Sequence, residues 1–510
     1  MQVQLLPNLL IIYMANPHII KFIQSLSPPE VRLVEDHLSK TQALFDNQKE
    51  DIMEVKLYKY LIAHKKEIVT DEMIIAETGT KRVSDLKNNL FNKVLEALTL
   101  DKCITNTSLI NESDIIVFSL KKKLLACKVS IRLLNEGKTE AIHELLDDVI
   151  SKAKSVELYD ILVEALIVKK YFRGIRFGLA DFEKIAAEVK FYEICNQAVF
   201  KAADSYYRLI LDNEFVKTLS NAEVSMHITN SIKEMESDYK KTKSEQVNYY
   251  LQIMRLALSE RQKNYALAIS HCNKLISILE KNKAIYRKDR MGSAHDNLCM
   301  FKIHMGNYAA AAKEAKHAQQ YYLENSLNYA ISKEQEFYAH FYNENYRDAN
   351  KSLVELLNHS TIDTGEFRKS KFIYYQAYTL FAEKNFTGAL RLLNEALEIE
   401  KDKSRWNVSL RILNIMIFIE LKKINEAFNS LESLRKHVER TGKTDEISER
   451  DILIVKLLRE LEKEGFEYSE KNANAAKMLH QLSEKDAKTS WQHYSSELIK
   501  FHEWLENKKI

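Results

Sequence analysis

An asparagine–aromatic pair, with alanine three residues beyond the aromatic, recurs four times in the second half of this chain and constrains its fold more than any other feature. Asn264-Tyr265 is followed by Ala268, Asn307-Tyr308 by Ala311, Asn345-Tyr346 by Ala349 and Asn385-Phe386 by Ala389. A degenerate fifth copy pairs Lys423-Ile424 with Ala427. The second residues of these pairs lie 43, 38, 40 and 38 residues apart. A near-constant period of this size marks a stacked array, because each unit presents an apolar face that only its neighbours bury.

The turn formers that sheets need are nearly absent. All four prolines (Pro7, Pro17, Pro28, Pro29) fall in the first 29 positions, and the 510 residues include only 10 glycines. Ordinary usage is about 5% Pro and 7% Gly. This scarcity argues against sandwiches, barrels and Gly-punctuated nucleotide-binding folds, so the chain is expected to be all-α. It is too long for a single core, since cores stop growing near about 250–300 residues. With 75 Lys+Arg against 72 Asp+Glu, the net charge of +3 supplies no global field toward nucleic acid or anionic lipid.

The tetrads resemble the tetratricopeptide repeat, a pair of antiparallel helices of about 34 residues. In that family an aromatic opens the second helix, and small residues follow three and ten positions later. Phe386, Ala389 and Ala396 fill these places, as do Tyr308, Ala311 and Ala318. A small residue nine before the aromatic completes the pattern, as at Ala377 and Cys299. Tyr265, Ala268, Tyr346, Ala349 and Ala427 are the matching packing positions elsewhere. The periods exceed 34, no proline closes the second helix, and Leu434 replaces a small residue in the last copy. The resemblance covers residues 248–438 and implies a right-handed α–α superhelix with longer, less regular units.

The remainder divides by pattern into a helical bundle over 15–100 and an irregular helical stretch over 115–245 with room for diverged repeats. The repeats occupy 246–440, and helices over 450–510 close the array. Ser27-Pro28-Pro29-Glu30 is a helix start with a capping box. Gly137, Gly174 and Gly178 mark expected breaks, and 180–212 one long helix. Tyr494, Leu498, Phe501 and Leu505 have helical spacing and predict a final capping helix, with an aromatic hook for another protein as the alternative. Met14-Ala15-Asn16-Pro17 has the form of a protein start, so residues 1–13 are expected to be an upstream extension. Leu9–Met14 is too short to span a bilayer.

No arrangement for chemistry emerges. Gly137-Lys138-Thr139 and Gly442-Lys443-Thr444 lack the glycine five positions earlier that a phosphate loop needs, where Arg132 and His437 stand instead. The five cysteines (Cys103, Cys127, Cys195, Cys272, Cys299) form no C-x-x-C and are expected as buried thiols in a cytoplasmic protein. His295, His304 and His317 are spaced so that no metal site is expected. No enzyme activity and no cofactor are expected. The Tyr171–Gly178 stretch interleaves aromatics with arginines, a composition that could stack bases, but a helix-to-helix turn with its rings in the core is the expected reading. Thr78-Gly79 followed by Ser84, Lys87 and Asn88 has the cadence of a helix-turn-helix. Nucleic acid is nevertheless not the expected partner, and neither is a membrane.

The repeat register implies that the first helix of each pair lines a concave face. This places Lys371, Tyr374, Tyr378, Phe381 and Ala382 there, with Tyr338, Phe341 and Tyr342 from the preceding pair. The Lys/Asn/Arg set with which some tetratricopeptide domains grip a terminal carboxylate is missing. The expected function is a protein-interaction scaffold holding a peptide or partner helix against these aromatics. The alternatives are an aromatic core with no free groove, or a signalling or transcriptional regulator whose bundle engages an effector or DNA. The Lys-, Asn- and Ile-rich composition suggests an AT-rich bacterial genome.

Overall fold

The computed structural model describes residues 17–43, 53–98, 112–132, 139–215, 221–283, 285–359, 366–395, 406–441, 447–469, 471–484 and 488–508. Residues 1–13, Cys103, Gly137, Lys138, Ala396 and the triplet at Gly442 lie outside them. Every regular element among the described residues is a helix. None is long and apolar enough to cross a membrane. The chain separates into two units, Met1–Val149 and Ile150–Ile510, a coarser division than the four segments read from the sequence.

The first unit contains α1 (Pro17–Gln24), α2 (Pro28–Ala43), α3 (Met53–Ala63), α4 (Asp71–Thr78), α5 (Val83–Leu98) and α6 (Glu112–Arg132). The division itself falls within α7 (Thr139–Ser155). Ile23, Val34, Leu57, Leu61, Ile74, Leu90 and Val94 form the core of α1–α5. The capping box is half formed, with Glu30 accepting from both the Ser27 N–H at 2.7 Å and its hydroxyl at 2.6 Å.

The second unit continues with α8 (Tyr159–Phe177), α9 (Leu179–Phe215) and α10 (Asn221–Thr242). Gly174 does not interrupt α8. A Cβ there would lie 2.9 Å from the Phe182 ring, so the glycine admits a close approach of α9 rather than a break. Six hairpins follow. They pair α11 (Glu245–Arg261) with α12 (Tyr265–Lys281), α13 (Lys288–His304) with α14 (Tyr308–Gln319), and α15 (Leu327–Tyr342) with α16 (Tyr346–Leu357). They continue with α17 (Glu366–Ala382) and α18 (Phe386–Glu395), α19 (Trp406–Glu420) and α20 (Ile424–Thr441), and α21 (Glu449–Glu462) and α22 (Ala473–Ser483). Consecutive helices pack in sequence order. This is an all-α, tetratricopeptide-like helical-repeat solenoid.

The recurring tetrad is a turn with a mechanism. Each of the first five hairpins turns through one left-handed residue: Lys263, Gly306, Glu344, Lys384 and Lys422, with φ between 55° and 77°. The next residue donates its N–H to the carbonyl five back, as from Asn345 to His340 at 2.9 Å and from Asn385 to Leu380 at 2.8 Å, closing the first helix. In three of the copies the asparagine side chain then caps the second helix, accepting from Leu267 N at 3.2 Å, Asp348 N at 3.4 Å and Gly388 N at 3.0 Å, whereas Asn307 makes no such side-chain bond. Ala268, Ala311, Ala349, Ala389 and Ala427 are completely buried between paired helices. Tyr265, Tyr308, Tyr346 and Phe386 pack at the edge of the core.

Candidate functional site

The first helices of the hairpins carry the aromatic positions expected to line a groove, and all but two of the seven binding candidates are buried. Tyr338, Phe341, Tyr374, Tyr378 and Phe381 are buried, while Tyr342 and Lys371 are half-buried. What covers the seam is the chain's own C-terminus, so of the two readings the sequence left open, free groove or aromatic core, these rings follow the second. Residues 490–505 run past α13, α15, α17, α19 and α21, making side-chain contacts to all five. The His304 ring of α13 stands edge-on to that of His493 at 5.3 Å, and the Tyr308 hydroxyl at the start of α14 meets His493 Nε2 at 3.2 Å. On α15, the Tyr494 hydroxyl donates to Gln335 at 2.6 Å and its N–H to the Tyr342 hydroxyl at 3.3 Å. The Tyr378 hydroxyl of α17 donates to Ser496 O at 3.0 Å, and Ser409 of α19 meets the Ser496 hydroxyl at 2.7 Å.

The expected terminal helix over 494–505 is likewise corrected. Only α23 (Phe501–Glu506) is helical, and residues 490–500 form turns and bends. Tyr494 sits at φ 63°, a left-handed conformation that ends any right-handed helix. The Trp491 indole donates to Glu497 O at 2.8 Å, and Glu497 Oε1 takes the Phe501 N–H at 2.8 Å, starting α23 late.

Arg450 and Glu497 latch this segment down. Arg450 Nε and Nη2 donate to the two Glu497 oxygens at 2.6 and 2.8 Å, a bidentate pair buried on both sides. Arg450 also donates to Thr489 O at 2.7 Å and lies 3.1 Å from His502 Nδ1. Burial pushes the Glu497 carboxyl above its ordinary range, against the pull of Arg450. Farther along, the Trp504 indole donates to Glu420 at 2.7 Å, while Leu498, Phe501 and Leu505 join the hydrophobic core of the repeats. Neither Arg450 nor Glu497 carried a motif in the sequence. The nearest signal was the concentration of Trp491, Tyr494, Phe501 and Trp504.

The segment leaves space on both flanks. A polar cleft of about 580 Å³ lies among Lys371, Asp451, Ser490, Gln492 and Ser495. An aromatic cleft of about 800 Å³ lies among Tyr346, Phe386, Trp491, Ile499 and Trp504. Lys371 pairs with Glu334 at 2.6 Å, so its charge is already met. Tyr375, which the register did not select, is fully buried with its hydroxyl against that of Tyr338 and 2.7 Å from Glu334.

Other sequence candidates are placed as follows. Lys87 of α5 is buried and paired with Asp71, so it does not face outward as a helix-turn-helix reading requires. The helix begins at Val83, making Ser84 an exposed first-turn residue rather than its cap. Of the rings near Gly174, Tyr171 and Phe177 are exposed and Phe172 is half-buried, so they do not all tuck into a core. There Arg173 pairs with Asp181 at 2.5 Å and covers the Phe177 ring. Cys127, Cys195, Cys272 and Cys299 are free and buried. His304 goes to the C-terminal segment, stacking edge-on to His493 at 5.3 Å, whereas His295 and His317 converge across α13 and α14.

No protein-family model matches the chain, and no curated protein matches it. Among solved structures it is similar to a Signal Transduction ATPase with Numerous Domains (STAND) protein with a tetratricopeptide repeat sensor from Pyrococcus horikoshii. The two are 14% identical, with a TM-score of 0.43 over 89% of this chain and 68% of that one. A likeness that loose extends to neither activity nor partner.

Proposed function

We propose that this chain is a protein-interaction scaffold without chemistry of its own, whose solenoid face is occupied by residues 488–508 and receives a partner segment that competes for the same seat. The observation that carries this reading is the course of the C-terminal segment. Its residues 490–500 lie without regular structure across five successive first helices and are held by side-chain hydrogen bonds to Tyr342, Tyr378, Ser409 and Arg450. An irregular strap bound through such polar anchors, with clefts on both sides and only one short helix after it, resembles a bound peptide more than a solenoid cap. A competing ligand would offer an extended stretch with a carboxylate for Arg450 and aromatics for the two clefts.

A protease site inserted between Glu484 and Lys488 allows the strap to be cut after the full chain has folded. A labelled synthetic peptide of residues 488–510 is then added to the cut protein. Exchange of the labelled peptide into the folded protein, with a polar substitution at Tyr378 slowing its capture, is the expected result. A cut strap that never exchanges while the rest of the molecule keeps its helicity would make these rings permanent core and end the proposal. The regulator alternative, with the bundle as an effector module, draws no support from α5, whose Lys87 is turned inward.

A further inference from the structure

On the second hairpin, three side chains meet for which the C-terminal strap has no use. His295 projects from α13 and Glu314 and His317 from α14, and one ligand atom of each lies within 4.8 Å of the others. His295 Nδ1 is 2.7 Å from Glu314 Oε2, and His317 Nδ1 is 3.8 Å from the same oxygen. We infer that this cluster is a transition-metal site taking Zn²⁺ or a similar ion, with the fourth position open to water.

The ligand chemistry selects the ion. Two imidazoles and one carboxylate suit Zn²⁺, Co²⁺ or Ni²⁺, whereas Ca²⁺ and Mg²⁺ demand more oxygens. The spacing is nearly that of a formed site. Tetrahedral ligands about 2.0–2.1 Å from zinc stand about 3.3–3.4 Å apart. The two distances to Glu314 bracket that edge, so occupancy requires only that the carboxylate recede slightly from His295 and that His317 swing in. His317 is 55% exposed and has room to do so, while His295 and Glu314 are each 14% exposed and held in place. The two imidazole rings are 5.5 Å apart at 80°, a crossed arrangement that lets both approach one point.

The surroundings prepare the carboxylate as a one-oxygen ligand. Lys302 occupies Glu314 Oε1 at 2.6 Å and leaves Oε2 toward the histidines. Tyr321 lies parallel to His295 at 5.8 Å and limits rotation of that ring. By sequence spacing, His295, His304 and His317 were not expected to form a metal site. The hairpin instead brings His317 back to His295 and adds a glutamate that spacing alone did not suggest.

The test is titration of the chelator-treated full chain with Co²⁺, read by its visible d–d absorption, followed by displacement with Zn²⁺. One equivalent of Co²⁺ in a low-symmetry four-coordinate environment, displaced by one equivalent of Zn²⁺, is expected. His317→Ala should leave the melting temperature of the metal-free protein unchanged, because the side chain is exposed, and weaken Zn²⁺ binding by about tenfold or more. Glu314→Gln should do the same to binding. His480→Ala, at an exposed histidine near Glu484, should have no effect. Absence of the absorption band, or wild-type affinity in His317→Ala, overturns the assignment. Loss of binding in His480→Ala would also overturn it, by moving the ion elsewhere.

Discussion

At the scale of single residues, the hairpin turns show where sequence and backbone are at odds. Four of the five turns place a lysine or glutamate in the left-handed region, at Lys263, Glu344, Lys384 and Lys422, and only Gly306 is relaxed there. For an L side chain this conformation costs about 1–2 kcal/mol, while glycine brings an entropic cost of about 0.5–1 kcal/mol. The balance favours glycine by up to about 1.5 kcal/mol. Lys384→Gly and Glu344→Gly should therefore each raise the urea midpoint with an unchanged slope, since neither side chain is buried. An unchanged or lowered midpoint would mean that these charges contribute more than their backbone strain costs.

At the scale of elements, the hairpins were legible in the sequence and the strap was not, for a physical reason. A helix repeats its chemistry every few residues, and stacked hairpins repeat it again at the next level, so Tyr308 with Ala311 and Phe386 with Ala389 announce themselves. The register even selected Tyr338, Tyr374 and Tyr378 as one continuous face. What covers that face depends on contacts between residues over a hundred positions apart, such as Tyr378 with Ser496, and no period encodes these. The apolar spacing from Tyr494 to Leu505 imitates a helix although Tyr494 is left-handed. The strap also explains three neutral histidines at its seam. Burial lowers His304, His493 and His502 to about 4 each, with Lys263 adding repulsion at His304, His304 and Lys500 at His493, and Arg450 at His502. Released from the seam, each imidazole returns toward 6.5. Through these three histidines the open form binds more protons than the closed form between about 4 and 6.5, so their contribution to closure is full above pH 6.5 and weakens as pH falls, opposed by the raised carboxyl of Glu497. Trp491 and Trp504 lie in the strap and Trp406 lines the cleft beside it, so intrinsic fluorescence reports on closure. Emission should shift to the red as pH falls from 6.5 toward 4, before far-UV helicity is lost. A single transition shared by both signals would show that the strap does not open on its own.

At the scale of the whole molecule, the strap changes what kind of array the second unit is. In a simple solenoid each repeat touches only its neighbours, so stability is close to a sum of local terms and the ends open before the middle. Here one segment touches the α13–α14 hairpin at Tyr308 and α21 at Arg450, coupling hairpins that are otherwise four steps apart. Hydrogen exchange under native conditions measures this coupling directly, because residues that open together share one opening free energy. Amides of α15, α17, α19 and α21 should exchange with a common protection in the native chain. In Arg450→Ala the Glu497 carboxylate loses its bidentate partner, and breaking a buried pair costs about 3–5 kcal/mol. Protonation of Glu497, already favoured by its burial, lessens that cost toward low pH. With the latch gone, protection should separate into steps, lowest at α21 and rising toward α15, while the α1–α5 core keeps its own value unchanged. Uniform protection from α15 to α21 in the variant would show that nearest-neighbour packing alone makes the array cooperative, and that the strap rides on it without binding it together.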